Sequence, residues 1–146
     1  MKLQVKRINK SLPLPKYHTV GSAAFDLYAR IDIIIPPFKP TIIPLNLIVK
    51  VPINHFLMLA CRSSLPMKKN LFVANSVGII DQDYHGNNDE IGLQVINFSK
   101  NKVQVNKGER IAQALLVKIT KASLFSEKKV LSTKSRGGWG STDKKE

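Results

Sequence analysis

Five stretches of this 146-residue chain stand out, three of them rich in groups that suit phosphates and two holding acids among apolar residues. Cys61-Arg-Ser-Ser-Leu65 sets a guanidinium beside two hydroxyls. A guanidinium fork matches phosphate oxygens, and the hydroxyls add neutral donors. The same residues also suit a plain capped helix. Gly78-Ile-Ile-Asp-Gln-Asp-Tyr-His-Gly86 places Asp81 and Asp83 among apolar residues and a tyrosine. A carboxylate there can orient a water for attack on phosphorus, with Mg2+ neutralising the phosphates; a solvated turn is the plain alternative. Gly21-Ser-Ala-Ala-Phe-Asp-Leu-Tyr-Ala29 holds a lone acid, Asp26, between apolar neighbours, which fits either a salt-bridge partner or a group near a metal. Lys107-Gly-Glu-Arg-Ile-Ala-Gln113 reads as a turn feeding a strand. Arg136-Gly-Gly-Trp-Gly-Ser-Thr142 combines a cation, a glycine backbone, a large aromatic and two hydroxyls. Glycines let the backbone close on a ligand and a tryptophan can stack on a base, although a disordered tail has the same composition.

The elements that must position these groups are short. All eight prolines fall within the first 66 residues, and each fixes φ and lacks an N–H, so long helices are excluded there. Between them lie apolar and β-branched runs of strand length: Leu3–Ile8, Ile31–Ile35, Thr41–Pro44, Leu47–Val51 and Phe56–Cys61. Lys102-Val-Gln-Val-Asn106 alternates as a half-buried strand does. Ile91–Phe98 and Ile111–Ile119 read as further strands, the second rather fully buried. One short helix is expected, capped by Ser63 or Ser64, with Pro66 in its first turn and Met67–Asn70 ending it. Its start offers free N–H groups to an anion. Many short strands with one helix predict an all-β chain, a barrel or jelly roll. Residues 1–133 read as one domain, and residues 134–146, with Trp139 as their main core-forming side chain, as a mobile C-terminal arm.

Composition bounds the function. At roughly 100–200 residues per domain the chain is one unit, and 43% hydrophobic residues exclude a fully disordered chain. Cys61 is the only cysteine, which excludes an intramolecular disulfide and argues against a cysteine-ligated zinc. The longest apolar runs are far shorter than the roughly 18 residues of a membrane span. Met1-Lys-Leu-Gln-Val-Lys-Arg7 is basic with no apolar stretch behind it, unlike a secretory signal, so a cytoplasmic protein is expected. The net charge of +13 attracts polyanions. Eighteen of the 23 basic residues are lysines spread along the chain, and abundant Lys, Ile and Asn also fit a bias of the whole proteome. No specific nucleic-acid binding is expected.

Taken in order and at their spacing, the five stretches resemble the five motifs of the trimeric dUTP pyrophosphatase (dUTPase) family, from about Leu3 to Thr142. The resemblance implies a jelly-roll-like β-barrel and a homotrimer whose active sites draw motifs from more than one subunit. It implies Mg-dependent cleavage of dUTP to dUMP and pyrophosphate by water attack on the α-phosphorus, lowering dUTP and supplying dUMP for thymidylate synthesis. Asp26 matches the acid near the Mg2+–triphosphate complex, acting through water. Arg62, Ser63 and Ser64 match the phosphate-holding second motif. Asp81 matches the aspartate that orients the attacking water. Tyr84 matches the tyrosine beneath the deoxyribose, where a 2′-hydroxyl would clash. Backbone groups from about Asn75 through Gly78 to Tyr84 match the hairpin that imitates a base pair with uracil. Gln113 matches a glutamine that reaches the phosphates. Arg136, Gly138, Trp139, Gly140, Ser141 and Thr142 match the arm, with its cation and hydroxyls on the γ-phosphate and its aromatic over the base.

Three departures stand out from the commonest pattern. The usual arm reads Arg-Gly-x-Gly-Gly-Phe, whereas here Arg136 directly precedes Gly137-Gly138 and Lys134 holds the usual arginine position. The shorter form resembles that of some bacterial and phage members and favours Arg136, with Lys134 as the fallback. Trp139 replaces phenylalanine and keeps the stacking face. Gly86-Asn-Asn-Asp-Glu-Ile91 is about three residues longer than the common hairpin. Two rivals remain. A dCTP deaminase shares the fold and the Arg-Ser-Ser motif, but needs a glutamate base where this chain has Gln94, and lacks the arm. A non-catalytic, dUTPase-like regulatory protein would keep the pocket without the chemistry; intact Asp81, Gln113 and arm residues argue against it.

Overall fold

Apolar and β-branched runs broken by prolines and asparagines form short antiparallel strands, because such side chains pack well on a pleated surface. The computed structural model describes residues 1–132, 134–135 and 137–138. In chain order come β1 (Gln4–Arg7), β2 (Phe25–Tyr28), β3 (Ile33–Ile35), β4 (Thr41–Pro44), β5 (Leu47–Lys50) and β6 (His55–Cys61). Then follow α1 (Leu65–Lys69), β7 (Leu71–Val73), β8 (Gly78–Ile80), β9 (Gly92–Asn97), β10 (Val103–Val105) and β11 (Arg110–Lys118). The largest sheet has the order β2-β11-β6-β8; a three-stranded sheet runs β4-β9-β7, and β1-β5 and β3-β10 are pairs. The result is the expected nearly all-β, jelly-roll-like chain with one short helix. Leu27, Ile43, Leu57, Leu59, Leu71, Leu93 and Ile111 fill a single core between these sheets. Among the described residues no helix is long and apolar enough to cross a membrane.

Several local expectations change. The first strand contracts to β1, and Ile111–Ile119 shifts to β11, which is buried only in its first half, where β2 and β6 flank it. Ser64 takes the N-cap position of α1, yet its hydroxyl makes no capping bond. Its backbone is already helical (φ −83°, ψ −8°), whereas a capping side chain works from extended backbone. Pro66 does sit in the first turn, and Asn70 ends the helix in the left-handed region (φ 53°), with its N–H on the Pro66 carbonyl at 2.9 Å. Asparagine tolerates that conformation better than most residues.

Candidate active site

Strand β11 assembles the site. Its Gln113 lies in register with Asp26 of β2 on one side and Ala60 of β6 on the other. Arg62 follows the end of β6, and Arg110 begins β11 just before an irregularity in the β2 pairing between Arg110 and Ala112. Gly108 adopts φ +80° in the turn that leads into β11, where a side chain would be strained, and its N–H meets the Ala29 carbonyl at 2.8 Å. The turn is thereby tied to the end of β2, three residues beyond Asp26.

Asp26 is 8% exposed, and a buried carboxylate requires partners. Arg62 Nε stands 3.2 Å from Oδ1; Arg110 Nη1 and His18 Nε2 each stand 3.2 Å from Oδ2. His18 Nε2 also lies 3.0 Å from Arg110 Nη1. One carboxylate thus faces two guanidiniums, and the excess is positive. The two arginines are a third or more exposed, so they present charge to the cleft while remaining anchored. Gln113 Nε2 donates to the Cys61 carbonyl at 3.0 Å, and its second N–H has no partner among the described residues. His18, Ser22, Asp26, Arg62, Ser63 and Gln113 are among the residues lining a cavity of about 570 Å³. An apolar hollow of about 430 Å³ at Leu3, Leu14, Phe25 and Leu116 offers no comparable polar set. Ser64, by contrast, lines an adjoining cavity of about 320 Å³ with Arg62, Lys68, Lys69 and Arg110.

The acidic hairpin lies elsewhere. Strand β8 is the edge of the large sheet, with Gly78 opposite Leu59 and Ile80 opposite Leu57. A Cβ at Gly78 would stand 3.1 Å from Leu59 Cβ, so glycine permits this close pairing. Continuing the register past Ile80, Asp81 falls near the level of Phe56, five residues along β6 from Cys61, or roughly 17 Å at about 3.3 Å per residue; Leu115, opposite Met58, carries the cavity wall part of that way. Asp81 is exposed, and among the described residues no partner holds its carboxylate. Gln82 Nε2 donates to the His55 carbonyl at 3.2 Å, and the Tyr84 N–H donates to the Asp81 carbonyl at 3.4 Å, which fixes the turn. At the other end of β8, Asn75 is exposed and Ser76 is left-handed (φ 68°), which reverses the chain out of β7.

The dUTPase family model matches residues 10–143. The chain belongs to the dUTPase family. A deoxyuridine 5'-triphosphate nucleotidohydrolase of Hydrogenobaculum is 37% identical over 99% of this chain and 100% of its own length. One from Finegoldia magna is 39% identical over 96% of this chain and 99% of its own. The crystal structure of the Streptococcus mutans dUTPase superposes with a TM-score of 0.75 at 29% identity, covering 82% of this chain and 98% of that one. A Staphylococcus bacteriophage 80alpha dUTPase, solved with dUpNHpp, shares the fold with a TM-score of 0.81 at 24% identity, covering 97% of this chain and 98% of that one.

Of the dUTPase motifs expected from sequence, the first, second and fourth converge within one chain, and the third stands apart. Asp26, left open as a salt-bridge partner or a group near a metal, is the hub of the ion-pair cluster. Gly138 and Lys134 are exposed; Arg136, Trp139, Gly140, Ser141 and Thr142 lie outside the described residues. Arg110 and His18 were not singled out as site residues. Arg110 could have been found, since it lies three positions before Gln113 in a stretch already marked; His18 carries no such signal.

Proposed function

We propose that this chain hydrolyses dUTP to dUMP and pyrophosphate in the cytoplasm, as a homotrimer whose active sites are each built from more than one subunit. The shared site is supported by the roughly 17 Å of strand between the level of Asp81 and Cys61, the residue before Arg62. A general base must come within hydrogen-bond reach of the water it activates. In this reading the Asp81 and Arg62 that serve one phosphorus come from different copies, a neighbour supplying the hairpin. The hairpin's exposed edge position is compatible with that role.

In this reading Arg62, Ser63, Ser64 and Gln113 hold the phosphates, and Arg110 joins them as a second guanidinium steadied by Asp26. The partner's hairpin brings Asp81 to the water, Tyr84 beneath the sugar, and Asn75 and Gly78 to the base. Residues 134–146 close over the site as an arm, with Arg136, Ser141 and Thr142 toward the terminal phosphate and Trp139 over the uracil. Positioning and electrostatics supply most of the rate in such a site.

The donor set also bears on the metal. Among the described residues no group of three His, Cys, Asp or Glu side chains could cage an ion. Both Asp26 oxygens are engaged by cations or imidazole. This arrangement fits magnesium carried by the triphosphate and touched by Asp26 through water, since Mg2+ keeps several waters and binds with substrate phosphates. When bound, the ion neutralises phosphate charge. The reading is tested by pyrophosphate release from dUTP, dTTP, dCTP and UTP in parallel: release from dUTP alone supports it, and ammonia from dCTP would replace it with the deaminase.

A further inference from the structure

The segment that returns from the hairpin to β9 carries an acid that the reading above does not use. Glu90 is tucked against the body of the fold, its side chain 17% exposed. Its Oε1 accepts from Arg30 Nε at 2.7 Å and from the Asn46 N–H at 2.8 Å. Asn46 is itself buried and fixed by Asn9, through its Nδ2 on the Asn9 carbonyl at 3.0 Å and its Oδ1 under the Asn9 N–H at 2.6 Å. The next residue, Ile91, exchanges backbone hydrogen bonds with Leu45 and Leu47, both 2.9 Å. The hydrogen bond to Glu90 pushes the Arg30 guanidinium above its ordinary value; burial opposes this, and the carboxylate's charge adds to it. Glu90 is thus among the best-anchored residues beside the hairpin.

Its carbonyl is the acceptor for the Tyr84 hydroxyl, at 3.3 Å. Tyr84 is 42% exposed on a turn, and this is the one side-chain hydrogen bond it makes among the described residues. The extra residues between them do not intervene. They close on themselves, with the Gly86 N–H on Asp89 Oδ2 at 2.6 Å and the Asp89 N–H on the Gly86 carbonyl at 3.2 Å. The longer loop leans on β1, where Lys6 Nζ donates to the Asn87 carbonyl at 3.3 Å, while Tyr84 and Glu90 stay in contact across its base.

We propose that Glu90, clamped by Arg30, is a positioning residue for Tyr84, and that this clamp sets the preference for a 2′-deoxynucleotide over its ribonucleotide. The proposal rests on the dUTP-hydrolase reading and adds what fixes its sugar wall. Excluding a single hydroxyl by contact requires a ring that does not yield, and an exposed tyrosine yields unless its far end is held. Arg30 and Asn46 hold the Glu90 carboxylate, Ile91 holds the following backbone, and the Glu90 carbonyl holds the ring.

The test compares kcat/KM for dUTP with kcat/KM for UTP in the full-length protein. Glu90→Gln and Arg30→Gln each lower that ratio by roughly tenfold to a hundredfold, the scale of a misplaced positioning group. The double variant is no worse than the weaker single one, because both act through one contact. Tyr84→Phe, which keeps the ring and removes only the link to Glu90, lowers the ratio as well. A loss of melting temperature with the ratio unchanged in folded Glu90→Gln and Arg30→Gln overturns the proposal. Should neither variant fold, an unchanged ratio in Tyr84→Phe overturns it alone. A wild-type protein that prefers UTP or releases no pyrophosphate from dUTP overturns the reading beneath it, and this proposal with it.

Discussion

Gln113 stands opposite Asp26 across the β2–β11 ladder, two residues that 86 intervening positions separate in the chain. The pairing of a central strand with both neighbours puts an amide, a carboxylate and the chain leading to Arg62 on one stretch of sheet. The cleft is therefore held by backbone hydrogen bonds, and the charged side chains are oriented on a rigid base. Such preorganisation lets fixed charges act on phosphate oxygens without reorganising.

Replacing Asp26 by Asn tests the hub. The change leaves Arg62 and Arg110 without their shared counter-charge. Removing one partner of a fully buried pair costs about 3–5 kcal/mol, but these arginines are a third or more exposed, so about 1–2 kcal/mol is expected. Thermal melting should show that loss. Turnover should fall by roughly tenfold or more as the guanidiniums lose their orientation, while nucleotide binding, followed by calorimetry with dUpNHpp, persists. A variant with unchanged turnover would remove Asp26 from the site.

Asp81→Asn separates chemistry from folding. The side chain is exposed and unpartnered among the described residues, so the melting temperature should not move. A positioned general base contributes about 10²–10⁴-fold, and pyrophosphate release from dUTP should drop by that factor. Calorimetry should still record nucleotide binding. Near-normal turnover would reject Asp81 as the base.

How much of this could be read from residues alone depends on element length and on what an element buries. Val103-Gln-Val105 alternates partly buried, exposed and buried, as its pattern requires, and the Pro66 and Asn70 signals bracket α1 closely. Strand β2 has no such signature: Phe25, Asp26 and Leu27 are all buried in succession, and one of them is an acid. Strand β7 alternates in burial, but its exposed residue, Phe72, is as apolar as its buried neighbours, and the Gly-Ile-Ile of β8 likewise has no polar residue to mark a period. Arg62 and Ser63 stand out by their chemistry and Gln113 by the family resemblance, and the three meet in the cleft. His18 and Arg110 join the site only through contacts with Asp26 that a bulge and the packing of β2 on β11 create, and side-chain type does not reveal such contacts.

Removal of the residues after Lys134 should disable the enzyme without unfolding it. Beyond β11 the described chain makes no further strand, and Leu124, Phe125 and Leu131 are 79%, 91% and 92% exposed. Among the described residues none beyond β11 belongs to the core cluster. The truncated protein should melt with the full chain, yet lose roughly 10²–10³ in turnover, the scale of one removed electrostatic donor. Equal losses in both measurements would make the tail structural.

A site divided between copies, as proposed, has a quantitative consequence. Asp81→Asn and Arg62→Ala proteins should each be inactive alone. If one site takes Arg62 from one copy and Asp81 from another, unfolding, mixing in equal amounts and refolding should restore about one quarter of the sites, those that happen to draw both intact residues. The recovered activity should elute at the mass of a trimer in light scattering. A site contained in one chain has no way to recover, because no polypeptide in the mixture carries both residues. Zero activity after mixing, with wild-type protein regaining its own after the same treatment, would therefore place Asp81 and Arg62 in a single copy and overturn the shared site.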